Sequence, residues 1–329
     1  MRTDPLRAAA FLVALVAWGN AQAVERQPLP ADFVHDRVIL TPSISGRTLR
    51  IFTDTGGGWN ALSEEVAEEL ALPVEQVESG DETVPLVAFP DFDAATRIPA
   101  PPPLIMGGRL TRVPSKQIFG LDGFLGGRWF ADRVWELDYP NQRMALLTGA
   151  SEAGGDCVPL GFQTAAGERT SHFPSMDIQI AGEVLPVLLD TGATASTTSA
   201  SAPVFGVEPG EGVGTSFIEH EVFERWQRAN PDWRVLENAD QKGEQQRRMI
   251  EVPEVVIAGH AVGPVWFAEQ PPGAFQRYMA RWMDRPTWGA IGGSALRYFR
   301  VVIDYPRASA CFEPAARWMD QPSERTIRP

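Results

Sequence analysis

Apolar residues in this chain come in short runs cut by glycine and proline. Two of those runs read alike. The first is Gly46-Arg-Thr-Leu49-Arg-Ile-Phe-Thr-Asp54-Thr55-Gly56, and the second is Gly182-Glu-Val-Leu185-Pro-Val-Leu-Leu-Asp190-Thr191-Gly192. Each predicts a turn at the leading glycine, then an apolar strand, then a polar loop. Glycine, leucine and the Asp-Thr-Gly triplet all recur at one offset of 136 residues.

The repetition continues downstream. Leu104-Ile-Met-Gly107-Gly matches Val256-Ile-Ala-Gly259-His, and both predict a strand–turn–strand hairpin. Gly123-Phe-Leu-Gly126-Gly127 matches Gly289-Ala-Ile-Gly292-Gly293, and Asp138-Tyr-Pro140 matches Asp304-Tyr-Pro306, both pairs at an offset of 166. The same parts therefore occur twice in the same order, with about thirty extra residues in the second copy. Helix signals are few. Ser63-Glu-Glu-Val-Ala-Glu-Glu-Leu has an N-cap residue and an acidic first turn, Ser216–Trp226 reads the same way, and short helices are expected after Gly127 and Gly293. Asp138 and Asp304 are expected to cap turns before a closing strand. The small, polar run Gly149–Gly155 has the composition of a linker.

Composition agrees with short strands. The 30 Gly and 28 Pro supply many turns, and 44% hydrophobic with 22% charged residues is globular. A formal net charge of −13 disfavours nucleic-acid or anionic-membrane partners. At the N-terminus, Arg2 and Arg7 precede the apolar run Ala8–Trp18, and Ala21-Gln-Ala23 follows. That order predicts a signal peptide over residues 1–23, cleaved near Ala23. The apolar run is too short to span a bilayer, so the expectation is export, periplasmic or secreted, without stable membrane insertion. Cys157 and Cys311 are the only cysteines, a candidate disulfide in an oxidising compartment or else two buried thiols.

One Asp-Thr-Gly is a common surface turn. Two of them, each behind an apolar strand and each followed by an apolar-apolar-Gly element, resemble the aspartic peptidases of the pepsin and retropepsin superfamily. The resemblance implies an all-β, bilobal acid-protease fold with a few short helices and an active-site cleft between lobes. It implies an N-terminal lobe over 24–150 and a C-terminal lobe over 151–329. It makes Asp54 and Asp190 the catalytic pair of an endopeptidase acting on polypeptides, with neither preferred as base. Thr55 and Thr191 would bridge the two loops, while Gly56 and Gly192 would allow tight turns and close approach of backbone N–H groups. Phe124-Leu-Gly126 and Ala290-Ile-Gly292 would be packing elements. The first and last strands of a lobe lie close together in such a fold, which suits a Cys157–Cys311 bridge. Two carboxylates a few ångströms apart share a proton, so no metal or cofactor is expected, and a monomer suffices.

The pattern departs from the family in places. Gly57 and Ala193 stand where pepsin-like chains usually carry Ser or Thr. Losing that hydroxyl raises the pair's proton affinity and predicts activity at mildly acidic pH; a profile peaking below about 3.5 would contradict this. The first half has no flap tyrosine, since Tyr139 comes too late. Glu82–Ala100 is the candidate flap, with Phe89 or Phe92 as its aromatic, or else both pack in the core. Thr194–Gly214 and Glu269–Thr287 carry the extra residues of the second copy and would border the cleft or decorate the surface. His35, His172, His220 and His260 lack metal spacing, and no Gly-x-Ser-x-Gly or phosphate loop occurs. Glycoside hydrolysis would use a carboxylate pair but gives the repeated frame no role. The alternative function is a non-catalytic protein binding peptides or proteins in the same cleft.

Overall fold

The computed structural model describes residues 24–79, 82–88, 91–102, 109–148 and 154–315. The expected signal segment, most of the linker run, the Leu104–Gly107 hairpin and Phe89 lie outside these residues. Among the described residues the chain is mostly β-sheet, as expected, and no helix is long and apolar enough to cross a membrane.

The repeat in the sequence becomes a repeat in strand pairing. In the first half, the strand Ile51–Thr53 runs parallel to Gly123–Leu125, which is antiparallel to Asn60–Ser63, itself parallel to Arg109–Val113. In the second half, Glu183–Leu189 runs parallel to Gly289–Ile291, which is antiparallel to Ser216–Glu219, itself parallel to Val265–Gln270. These quartets form the middle of an eight-stranded and a nine-stranded sheet. At the outer edge of each lies a hairpin: Val74–Ser79 with Glu82–Ala88 in the first, Val235–Lys242 with Gln245–Val252 in the second. Parallel neighbours need long crossovers, and each Asp-Thr-Gly loop sits at the carboxyl end of such a crossed pair.

A third sheet of six strands takes three from each half. At its centre Val134–Asp138 pairs antiparallel with Phe299–Asp304, Val134 opposite Asp304 and Asp138 opposite Arg300. Positions 166 apart thus face each other's counterparts, so a local two-fold passes through the Glu136–Val302 pair. Glu136 is buried there and accepts hydrogen bonds from Arg26 and from Arg300. Two guanidinium groups offset the cost of burying one carboxylate. The strand Asp156–Pro159 closes this sheet against Ser309–Pro314, and a disulfide joins Cys157 to Cys311, which are directly opposite in register.

The core is apolar and aromatic. Trp129, Phe130 and Trp135 are fully buried in mutual ring contact, their indole N–H groups donating to the carbonyls of Pro99 and Phe130. Each such ring contributes about 2–3 kcal/mol by burial, provided its N–H is satisfied.

Helices follow the expected places with one correction. Glu64–Glu69 is helical, and its N-cap Ser63 accepts a hydrogen bond from the Val66 amide at 3.2 Å. Short helices follow at Gly127–Phe130 and Gly293–Leu296. The second expected helix starts four residues late, at His220, because Ser216–Glu219 is a strand held between two others. Asp138 and Asp304 accept from the amides of Asn141 and Arg307 and close turns.

Candidate active site

The two Asp-Thr-Gly loops meet. The Thr55 amide donates to Thr191 Oγ1 at 3.1 Å, and the Thr191 amide donates to Thr55 Oγ1 at 3.0 Å. Thr55 Oγ1 in turn donates to the Leu189 carbonyl at 2.6 Å. Both threonines are buried, so this reciprocal lattice locks the loops in one relative position. Below each loop the parallel neighbour adds a backbone bond, from the Asp54 amide to the Leu125 carbonyl and from the Asp190 amide to the Ile291 carbonyl. Asn60 Oδ1 and Ser216 Oγ accept from the amides of Gly126 and Gly292, supporting the two apolar-apolar-Gly elements in the same way.

The glycines explain how closely the carboxylates approach. A Cβ on Gly56 would lie 2.5 Å from Asp190 Cγ, and one on Gly192 would lie 2.2 Å from Asp54 Cγ. Each loop's glycine therefore forms the wall behind the other loop's carboxylate, where no side chain fits. The same glycines donate their amides inward, Gly56 to Asp54 Oδ1 at 2.7 Å and Gly192 to Asp190 Oδ1 at 3.0 Å.

Burial raises the pKa of both carboxyls. For Asp190 burial is reinforced by the neighbouring charge of Asp54, and its pKa stands well above the usual carboxylate range. Asp54 is held back by the hydrogen bond it shares with Asp190 and by loop amides. Such a pair titrates as a unit and retains one proton above the range where a free carboxyl loses it.

The pair lies in a cleft of about 590 Å³. The first half walls it with Phe52, Trp59, Phe119 and Phe124, and the second half with Phe173, Phe217, Tyr278, Met279 and Trp282. Tyr278, Met279 and Trp282 belong to the extra residues of the second copy, so that insertion borders the cleft. Its loop is anchored from beneath. Glu219 is 1% exposed and accepts from the amides of Gly273, Phe275 and Gln276. Thr194, in the other insertion, also lines the cleft. Phe92 is half-buried against the main hydrophobic core. Phe124, expected only to pack, both packs and lines the cleft. Its ring stacks on Trp59 with centroids 5.2 Å apart.

Sequence reasoning missed Lys242, the one cation among the described cleft-lining residues. It also missed why Gly57 is glycine. A Cβ there would lie 2.5 Å from Phe124 Cζ. In the second half the corresponding pair is Ala193 and Ala290, where the smaller strand residue leaves room for a methyl. Among the described residues His220, Glu224 and Glu269 come together, but Arg248 already donates to both carboxylates, so a cation occupies that cluster. No protein-family model matches the chain, and no curated protein matches it.

Proposed function

We propose that this chain is an aspartic endopeptidase of bilobal, pepsin- or retropepsin-like form, with Asp54 and Asp190 as its catalytic pair. The observation that carries the reading is the reciprocal Thr55–Thr191 lattice, which holds a half-buried and a buried carboxyl together at the floor of an apolar cleft. A disulfide in the closing sheet suits an exported protein.

The pair carries one proton. Its ionised carboxylate removes a proton from a water molecule while the water oxygen attacks the scissile carbonyl carbon. The protonated carboxyl gives its proton to the carbonyl oxygen, and a tetrahedral diol forms. Proton transfer from the pair to the amide nitrogen then lets the C–N bond break, releasing an acid and an amine. One of the diol's two hydroxyl protons returns to the pair, which again holds one, and the acid keeps the other. The buried Thr lattice fixes the geometry, so little reorganisation is needed at the moment of attack.

The test is cleavage of an unfolded fluorescent protein from pH 3 to 7 by the wild type, Asp54→Asn and Asp190→Asn. The expected loss is about 10²–10⁴-fold or more in either variant, with inhibition by a statine-type transition-state mimic. If folded wild type and variants alike leave the substrate intact, the peptidase reading fails. Retained peptide binding would then favour a non-catalytic binder.

A further inference from the structure

Two cations lie near Thr194 at one end of the cleft: Lys242 lines it, and Arg37 is buried beside it, with only Glu211 near enough to offset its charge. Lys242 ends the strand Val235–Lys242 in the second half's edge hairpin and reaches the cleft beside Asp190, Gly192 and Thr194. Its Nζ donates to the Thr194 carbonyl at 2.8 Å. Its only carboxylate among the described ion pairs is Asp240, whose Oδ1 accepts from the Ser196 amide and lies 3.9 Å from Nζ, beyond hydrogen-bond distance. The Phe217 ring lies 5.8 Å from the ammonium, an arrangement that tolerates a cation without neutralising it.

Arg37 lies next to the same segment. It is 7% exposed, and its Nε and Nη1 have no hydrogen-bond partner. Its guanidinium carbon is 5.6 Å from the ring of Phe119, which lines the cleft. Nη1 would lie 2.5 Å from a Cβ on Gly212, and Thr194 Cγ2 would lie 3.0 Å from the same point. Gly212 and Thr194 belong to paired strands, so Arg37 lies next to the Thr194 methyl while Lys242 holds the Thr194 carbonyl. A buried guanidinium with open donors is costly unless a counter-ion approaches. Burial and the nearby Arg50 hold Arg37 down to about 10 against the opposing charge of Glu211, and burial holds Lys242 below its ordinary range although Asp240 and Asp190 oppose it. Both would recover on gaining an anion.

We propose that the cleft selects peptides with a carboxylate placed at Thr194, bound by Lys242 with the nearby buried Arg37 adding its charge. This rests on the peptidase reading and adds a substrate class to it. The rest of the lining is aromatic, so the favoured peptides combine apolar residues with one acidic group. The carboxylate has two chemical sources, an Asp or Glu side chain or the substrate's own C-terminus.

The experiment uses synthetic decapeptide pools in which one scanned position carries Glu or Gln, each with a free or amidated C-terminus. Cleavage by the wild type, Lys242→Met and Lys242→Arg is read by mass spectrometry. Binding of the same pools to Asp54→Asn, with and without Lys242→Met, is read by affinity selection. The wild type should prefer Glu over Gln at one fixed distance from the scissile bond by about tenfold, the size of one charge-assisted hydrogen bond. That ratio should fall toward one in Lys242→Met and persist in Lys242→Arg, which keeps the charge. If amidation rather than Gln abolishes the preference, the carboxylate is the chain terminus. Cleavage without any carboxylate preference, or a preference untouched by Lys242→Met, overturns the proposal and leaves the peptidase reading standing. Absence of cleavage overturns that reading instead, and the Glu-to-Gln binding ratio then decides for or against Lys242.

Discussion

Replacing Gly57 by Ser places a Cβ 2.5 Å from Phe124 Cζ and 3.2 Å from Asp54 Oδ2. The first contact is repulsive, and Phe124 has little room to yield because it is stacked on Trp59 and packed against Phe52. Overpacking of this kind costs about 1–3 kcal/mol. Phe124→Ala alone removes a ring that is 7% exposed and should cost about 3–5 kcal/mol. Combined, the serine fills part of the space the ring leaves, so the double variant should be more stable than the sum of the singles by about 1–2 kcal/mol. The second contact then becomes useful. A serine hydroxyl beside Asp54 stabilises the ionised carboxylate by roughly 1.5 kcal/mol, about one pH unit. Stabilising the charged form lowers the pair's pKa, so the acid limb of kcat/KM should move down by about one unit in the double variant. Urea unfolding of the four proteins measures the coupling, and pH–rate profiles measure the shift. An additive cycle, or an acid limb that stays put or moves up, would refute the idea that Phe124 dictates glycine at 57.

Three further outcomes are expected. Asp190 has a raised pKa in the folded chain, so above about pH 4 the unfolded chain releases a proton that the folded chain still holds, and stability falls as pH rises. Urea midpoints at pH 4, 5.5 and 7 should show Asp190→Asn gaining on the wild type toward pH 7; an unchanged difference would contradict the assigned proton. The Cys157→Ser/Cys311→Ser double variant opens a crosslink between residues 154 apart and should lose about 2–5 kcal/mol in chemical denaturation, whereas a loss below about 1 kcal/mol would mean the six-stranded sheet closes as well without it. Glu219→Ala deprives the Gly273, Phe275 and Gln276 amides of their acceptor; peptide KM should rise severalfold more than kcat falls, and an unchanged KM would show that the loop bearing Tyr278 and Trp282 does not wall the substrate.

Much of the architecture was legible from local pattern. A turn glycine, an apolar run and Asp-Thr-Gly, repeated at a constant offset, are short-range signals, and each became a strand running into a loop. The Ser63 cap is equally local, since its acceptor and the Val66 amide are three residues apart. Ser216–Glu219 was not legible, because its acidic, cap-like reading competes with strand partners contributed by residues about fifty and seventy positions away. Phe92 stayed open between two readings for a related reason: nothing beside it in the chain tells whether an aromatic faces a cleft or a core.

The cleft's particular chemistry came only from the folded chain. Gly57 is small because of Phe124, Gly56 because of Asp190 and Gly192 because of Asp54, and none of these pairs is adjacent in sequence. Lys242 reads as one more polar residue at a hairpin end until the sheet carries it to Thr194, and Arg37 reads as a surface charge until Gly212 and Phe119 bury it. The residues that repeat are those whose role depends on backbone conformation close by, and they can be read along the chain. The residues that distinguish the two halves act through contacts across long loops, and which contacts form is decided by how the sheets close on one another.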